Sequence, residues 1–117
     1  MKNVELTISN TLKDLGMSPR LLGFNYLKEA IKLTLKDESM VHRMTKVLYP
    51  TVAQTFGSKS SRVERAMRHS IESGWHHANI DFQKDVFGYT VSADRGKPTN
   101  AEFIATVVEY LKSWEMV

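Results

Sequence analysis

Lys59, Arg62, Arg65 and Arg68 stand within ten residues of one another, and Glu64 is the only acid among them. A guanidinium is a planar fork that can donate twice to the O6 and N7 edge of guanine or to a phosphate, and a carboxylate can accept from cytosine N4. The chain as a whole carries 16 Lys and Arg against 13 Asp and Glu, a net charge of +3. Four cations against one carboxylate in this stretch account for all of that excess, so the remainder is neutral. Mild basicity permits a nucleic-acid partner without demanding one; its concentration in one segment is the more informative fact.

Other chemistries find little footing. The absence of cysteine excludes a disulfide framework, a thiolate nucleophile and cysteine-ligated zinc or iron–sulfur sites, and makes the reducing cytoplasm the natural expected setting. His42, His69, His76 and His77 are the histidines. His69 and His76 lie two helical turns apart, about 10 Å, with no acidic partner to complete a metal site. No serine sits in a nucleophile elbow and no glycine-rich loop could cradle a phosphate. We therefore expect no catalytic residues, no metal, no cofactor and no enzyme activity.

The elements that position the charged segment follow from periodicity. At 117 residues, 42% apolar and 25% charged, the chain has the size and composition of one soluble globular domain over 1–117. No run approaches the roughly 20 apolar residues of a membrane span, and the start lacks a signal peptide's apolar stretch, so neither membrane nor targeting is expected. Apolar residues recur at three and four, the helical period. Val4, Ile8, Leu12 and Leu15 form a first stripe that Gly16 closes. Ser18-Pro19 reads as the start of a second helix running to about Lys36. Asp37-Glu38-Ser39 opens a third through Leu48, and Pro50 begins a fourth that ends near Phe56-Gly57. A long helix is expected from Ser61 to Ala78, a short one through Phe82 and Val86, and a last one from Thr99 or Asn100 onward with Glu102 near its start. Tyr89 to Pro98 reads as loop, with Tyr89-Thr90-Val91 β-prone. The fold class is all-α, a single compact domain of about six helices.

Residues 49–78 fit a helix-turn-helix: small Ala53 where a second helix crosses, Gly57 in the turn, and expected buried positions at Val52, Phe56, Val63 and Ala66. On a wheel of about 100° per residue, Val63, Ala66, Met67, Ser70, Ile71, Gly74, Trp75 and Ala78 share a packing sector of about 140°. Ser61, Arg62, Arg65, Arg68, His69, Glu72 and His76 lie opposite. Three arginines thus face outward from the half of the helix that such proteins push into the major groove, beside the partial positive charge of a helix N-terminus. Local pairing with Glu64 or Glu72 at helical spacing is the plainer account of these arginines, and the wheel favours DNA over it. For Glu64 two readings stand side by side: the acid of a Ser61-x-x-Glu64 capping box, or an acceptor from cytosine. The rival function is a helical protein-interaction module that turns the same basic face to an acidic partner.

Four ordered blocks together carry a resemblance. They are Thr45-Lys46-Val47-Leu48-Tyr49-Pro50, Ser61-Arg62-Val63-Glu64-Arg65-Ala66-Met67-Arg68-His69, Phe87-Gly88-Tyr89-Thr90-Val91-Ser92 and Lys97-Pro98-Thr99-Asn100-x-Glu102-Phe103-Ile104-Ala105. From about Leu12 to Leu111 the chain resembles the C-terminal DNA-binding effector domain of the stage zero sporulation protein A family, response regulators of the phosphorelay that initiates sporulation. The resemblance implies double-stranded DNA as partner, operator repeats of the form TGNCGAA, and promoter activation or repression. It also implies contact with the RNA polymerase sigma subunit and self-association on tandem repeats. By position it implies base reading by Arg62, Glu64 and Arg65, with Arg68 and His69 near backbone phosphates and Lys97 as a further contact; Lys59 and Ser61 join the expected DNA-binding set. The stretch Ile80 to Val91 falls on the sigma-contacting part, although Phe87 and Tyr89 also read as core residues beneath a loop. His76-His77 stand where relatives carry serine and arginine, and Gly74 would cost a continuing helix about 1 kcal/mol. Relatives also carry an N-terminal receiver domain, for which we expect no room in this chain.

Overall fold

A computed structural model describes residues 3–88 and 96–115. The first helix, α1 (Val4–Asp14), is capped by Asn3, whose Oδ1 accepts from the Leu6 N–H at 3.0 Å. Its stripe of Ile8, Leu12 and Leu15 is fully buried. The helix stops at Gly16, φ +92°, where the Gly16 and Met17 N–H groups bond back to Lys13 O and Leu12 O at 2.9 Å each. That pair of hydrogen bonds around a left-handed residue is the exit that glycine makes inexpensive.

Ser18-Pro19 does not start the next helix. Ser18 Oγ accepts from the Arg20 N–H and Ser18 O from the Leu21 N–H, so the chain makes a turn, and α2 begins at Leu22 and runs to Lys36. Buried along most of its length, with Phe24, Tyr26, Leu27, Ala30 and Ile31 inside, α2 is the central helix of the domain.

The expected third helix is two short pieces, a 3-10 segment at Glu38–His42 and a π turn at Met44–Leu48, separated by Arg43. Pro50 supplies the physical reason for the wide turn. Proline cannot donate to the carbonyl one turn back, and just before it the Leu48 and Tyr49 N–H groups reach five residues back, to Arg43 O and Met44 O. The π turn runs straight into α3 (Tyr49–Phe56), which ends at Gly57, φ +62°, with the Ser58 N–H on Ala53 O at 2.8 Å.

Then follow α4 (Ser60–Gly74), a 3-10 turn at Trp75–His77, α5 (Ile80–Phe87) and α6 (Asn100–Glu115). The helix expected to reach Ala78 therefore loses α geometry at Gly74. A Cβ on Gly74 would lie 2.6 Å from Gly16 O and 2.8 Å from Met17 Cε, so glycine is there to let the end of α1 approach, whatever its helix propensity. Asn79 caps α5 by accepting from the Phe82 N–H and ties it to α1 through its own N–H on Asp14 O. Thr99 and Glu102 form a reciprocal capping box at the start of α6, 2.9 Å and 3.1 Å. The core unites Ile8 and Leu12 of α1 and Leu15 at its C-cap, the buried side of α2, Val63, Met67 and Ile71 of α4, and Phe103, Ile104, Val107, Val108 and Leu111 of α6. Trp75 and Phe87 close it edge to face at 5.0 Å. Among the described residues all regular structure is helical, so the fold is all-α, a single domain with six α-helices, α3 and α4 forming its helix-turn-helix. Tyr89-Thr90-Val91 lies outside the described residues. Among the described residues no helix is long and apolar enough to cross a membrane.

Candidate nucleic-acid interface

Two close approaches set α4 in place. Gly57 turns the chain sharply enough to lay α4 against α3, where Val52 and Ala53 are buried. On the other side α2 crosses at Gly23: a Cβ there would run into Ala66 O and Ser70 Oγ. With Val63, Met67, Ser70, Ile71 and Gly74 buried, α4 has one orientation in which its apolar side is covered. Ser61, Arg62, Arg65, Arg68, His69, Glu72 and His76 then face solvent, the division expected from the wheel. Ala66 is half-buried and Phe56 departs from expectation: it is 44% exposed and leans edge-on against Tyr26 at 5.2 Å.

The expected site residues fall into two groups on either flank of the exposed face. Ser61, Arg62, Arg65 and His69, with Leu22 and Ala66, line a shallow depression of about 470 Å³. Glu64, Arg68 and Lys97, with Tyr49, Glu72 and Asn100, line a cleft of about 670 Å³ between α4 and the start of α6. Lys59 stands apart, at the N-cap of α4, exposed and offering no side-chain acceptor to the first N–H groups of that helix.

The Ser61-x-x-Glu64 capping box does not form. Glu64 instead takes Arg68 one turn on, with Nε 2.9 Å from Oε2 and Nη2 3.4 Å from Oε1. An i,i+4 pair in this order suits a helix surface, and the box loses because Lys59, not Ser61, is the N-cap. The hydrogen bond that Arg68 donates to Glu64, and the negative charge of that carboxylate, push the Arg68 guanidinium further above its already high range. Beneath them Asn100, 7% exposed, donates from Nδ2 to Tyr49 Oη at 3.0 Å and to Glu64 O at 3.1 Å. Burial raises the Tyr49 phenol above its usual value, with the Asn100 bond opposing. Leu22, Tyr49 and Asn100 were not singled out as site residues; Tyr49 and Asn100 lie inside the quoted blocks, but pairing at separations of 51 and 36 residues leaves no local signal.

Among the described residues no three His, Asp or Glu side chains gather as metal ligands. Phe87 is buried between Trp75 and Phe103, as the core reading of it expects, and Tyr89 lies outside the described residues. Fold and site together define an all-helical domain whose helix-turn-helix presents an arginine-rich face. A family model described as Sporulation initiation factor Spo0A C terminal matches residues 8–111, nearly the whole chain. The chain belongs to this family, one of DNA-binding regulatory domains of sporulation rather than a class of enzymes.

Proposed function

We propose that this domain is a sequence-specific transcription factor module that lays α4 in the major groove of duplex DNA. In this reading Arg62, Glu64 and Arg65 meet base edges, while Lys59, Ser61, Arg68, His69 and Lys97 lie toward the phosphates. The observation that carries it is the exposure of Arg62 and Arg65 on the first turns of a helix whose opposite side is buried at Val63 and Met67. The uncapped start of α4 supports it, since free N–H groups and the helix dipole favour phosphate oxygens.

The preferred duplex in this proposal contains TGNCGAA-like repeats, and two copies of the domain associate on tandem repeats. The domain activates or represses sporulation-initiation promoters, activation passing through the RNA polymerase sigma subunit at α5 and the residues that follow, about Ile80 to Val91. Ile80, an apolar side chain 66% exposed on α5, supports a protein contact there. A band-shift titration on one and on two repeats tests the reading. Binding that falls steeply with salt, favours the repeat over scrambled DNA and gains affinity on the second repeat is the expected result. Equal binding to scrambled DNA would leave an acidic protein as the better partner for the basic face.

A further inference from the structure

Asn100 is the first residue of α6 and is buried, yet both hydrogen bonds of its amide nitrogen leave its own helix. One goes to the Tyr49 hydroxyl at the start of α3, the other to the carbonyl of Glu64 in the second turn of α4. A carbonyl at that depth in a helix already accepts the helical bond from four residues on, so the second donor adds nothing to the helix itself. What it adds is attachment: α3, α4 and α6 are pinned at one point. Apolar packing fills space but tolerates small slides; a buried hydrogen bond does not, because a shift leaves its partners unpaired in a dry interior.

The point of attachment is also the point of reading. Glu64 lies between Arg62 and Arg65 in the chain, and its carboxylate holds Arg68. Lys97 stands three residues before Asn100 on the rim of the same cleft, so the fixed end of α6 also sets where this cation stands relative to Arg68. Base-edge hydrogen bonds demand placement within roughly 0.5 Å, finer than apolar packing alone secures.

We propose that Asn100 is a positioning residue for the reading helix: its two amide N–H groups hold α4 in one register against α3 and α6, and so set how sharply the domain separates its preferred duplex from others. The proposal rests on the DNA-binding reading above.

The test compares affinities for a duplex of tandem TGNCGAA-like repeats and for its scrambled counterpart, with helical circular dichroism checked for each variant. Asn100→Ala removes the amide; Asn100→Asp keeps its size and suits a helix start, but has no N–H to offer. In both, the ratio of repeat to scrambled affinity should drop about tenfold, while scrambled-duplex affinity of the Ala variant and its salt slope stay near wild type. Tyr49→Phe, which deletes one of the two acceptors, should lower the ratio by less. A ratio unchanged in Asn100→Asp overturns the positioning role, whether or not the Ala variant folds. If both Asn100 variants lose helical signal, Tyr49→Phe decides, and an unchanged ratio there overturns the proposal. A wild-type ratio near one refutes the DNA-reading function itself, and the positioning role falls with it.

Discussion

Gly16 and Gly74 meet backbone to backbone: a Cβ on Gly16 would collide with the carbonyl oxygen of Gly74, and one on Gly74 would stand 2.6 Å from the carbonyl oxygen of Gly16. The two positions lie at the exits of α1 and α4, so this contact is where the first helix braces the far end of α4. Gly74→Ala should gain a little helix propensity and lose more to overpacking, a net destabilisation of about 1–3 kcal/mol. Gly16→Ala adds the cost of a left-handed backbone and should be the worse of the two. Urea titration ranks them; a Gly74→Ala variant at or above wild-type stability would contradict the close approach.

Trp75→Ala should cost about 3–5 kcal/mol. Trp75 is 9% exposed, meets Phe87 edge to face and accepts from Gln83 Nε2 through its carbonyl at 3.0 Å. The side chain thus closes the core where α4 hands over to α5. An unchanged melting temperature would show that the ring carries no packing.

Arg65→Ala and Arg62→Ala should each lower affinity for the repeat by about 1–3 kcal/mol and leave scrambled DNA less affected, because both side chains are exposed and the proposal sets them against base edges. Lys59→Ala should weaken every duplex alike and flatten the salt dependence. Equal losses on both duplexes for the arginine variants would mean they meet phosphates only.

Asp37 gives a pH signature unrelated to DNA. Its carboxylate accepts from Ser39 Oγ at 2.6 Å and from the Ser39 N–H at 3.1 Å, with Arg43 nearby, and these hold it below its usual 3.8. A depressed folded-state value means the stabilisation is complete above 3.8 and is lost as pH falls through the folded value. Melting curves of wild type and Asp37→Asn should therefore differ at pH 6 and converge in acid below 3.8. A gap that persists at low pH would assign the difference to something other than the charge.

Legibility in the sequence followed locality. The exposed and buried sides of α4 were readable because a wheel needs only one helix, and Gly57 and Pro50 marked the ends of α3 by backbone constraint alone. Ser18-Pro19 misled because a serine hydroxyl caps a turn as readily as a helix, and the close approach of Gly23 to α4, just inside α2, leaves no local signal. For Ser61-x-x-Glu64 the sequence left two readings open; the capping box falls away because Lys59 is the N-cap, and the carboxylate pairs with Arg68 one turn on. Phe56 read as core from its period, yet it sits at the rim where α3 ends, edge-on to Tyr26. Asn100 was beyond reach, since its partners become neighbours only once the chain has folded.

The Glu64–Arg68 pair changes what an approaching polyanion meets. A count of charges gives α4 three free guanidinium groups, but one already has a carboxylate at 2.9 Å. Any phosphate that engages Arg68 must compete with that occupant, whereas Arg62 and Arg65 are open at once. In the proposed complex with DNA, first encounter would fall to the leading turns of α4, and the trailing cation would commit only to a ligand close enough to displace its own counterion. On that proposal the helix would engage in order, front to back.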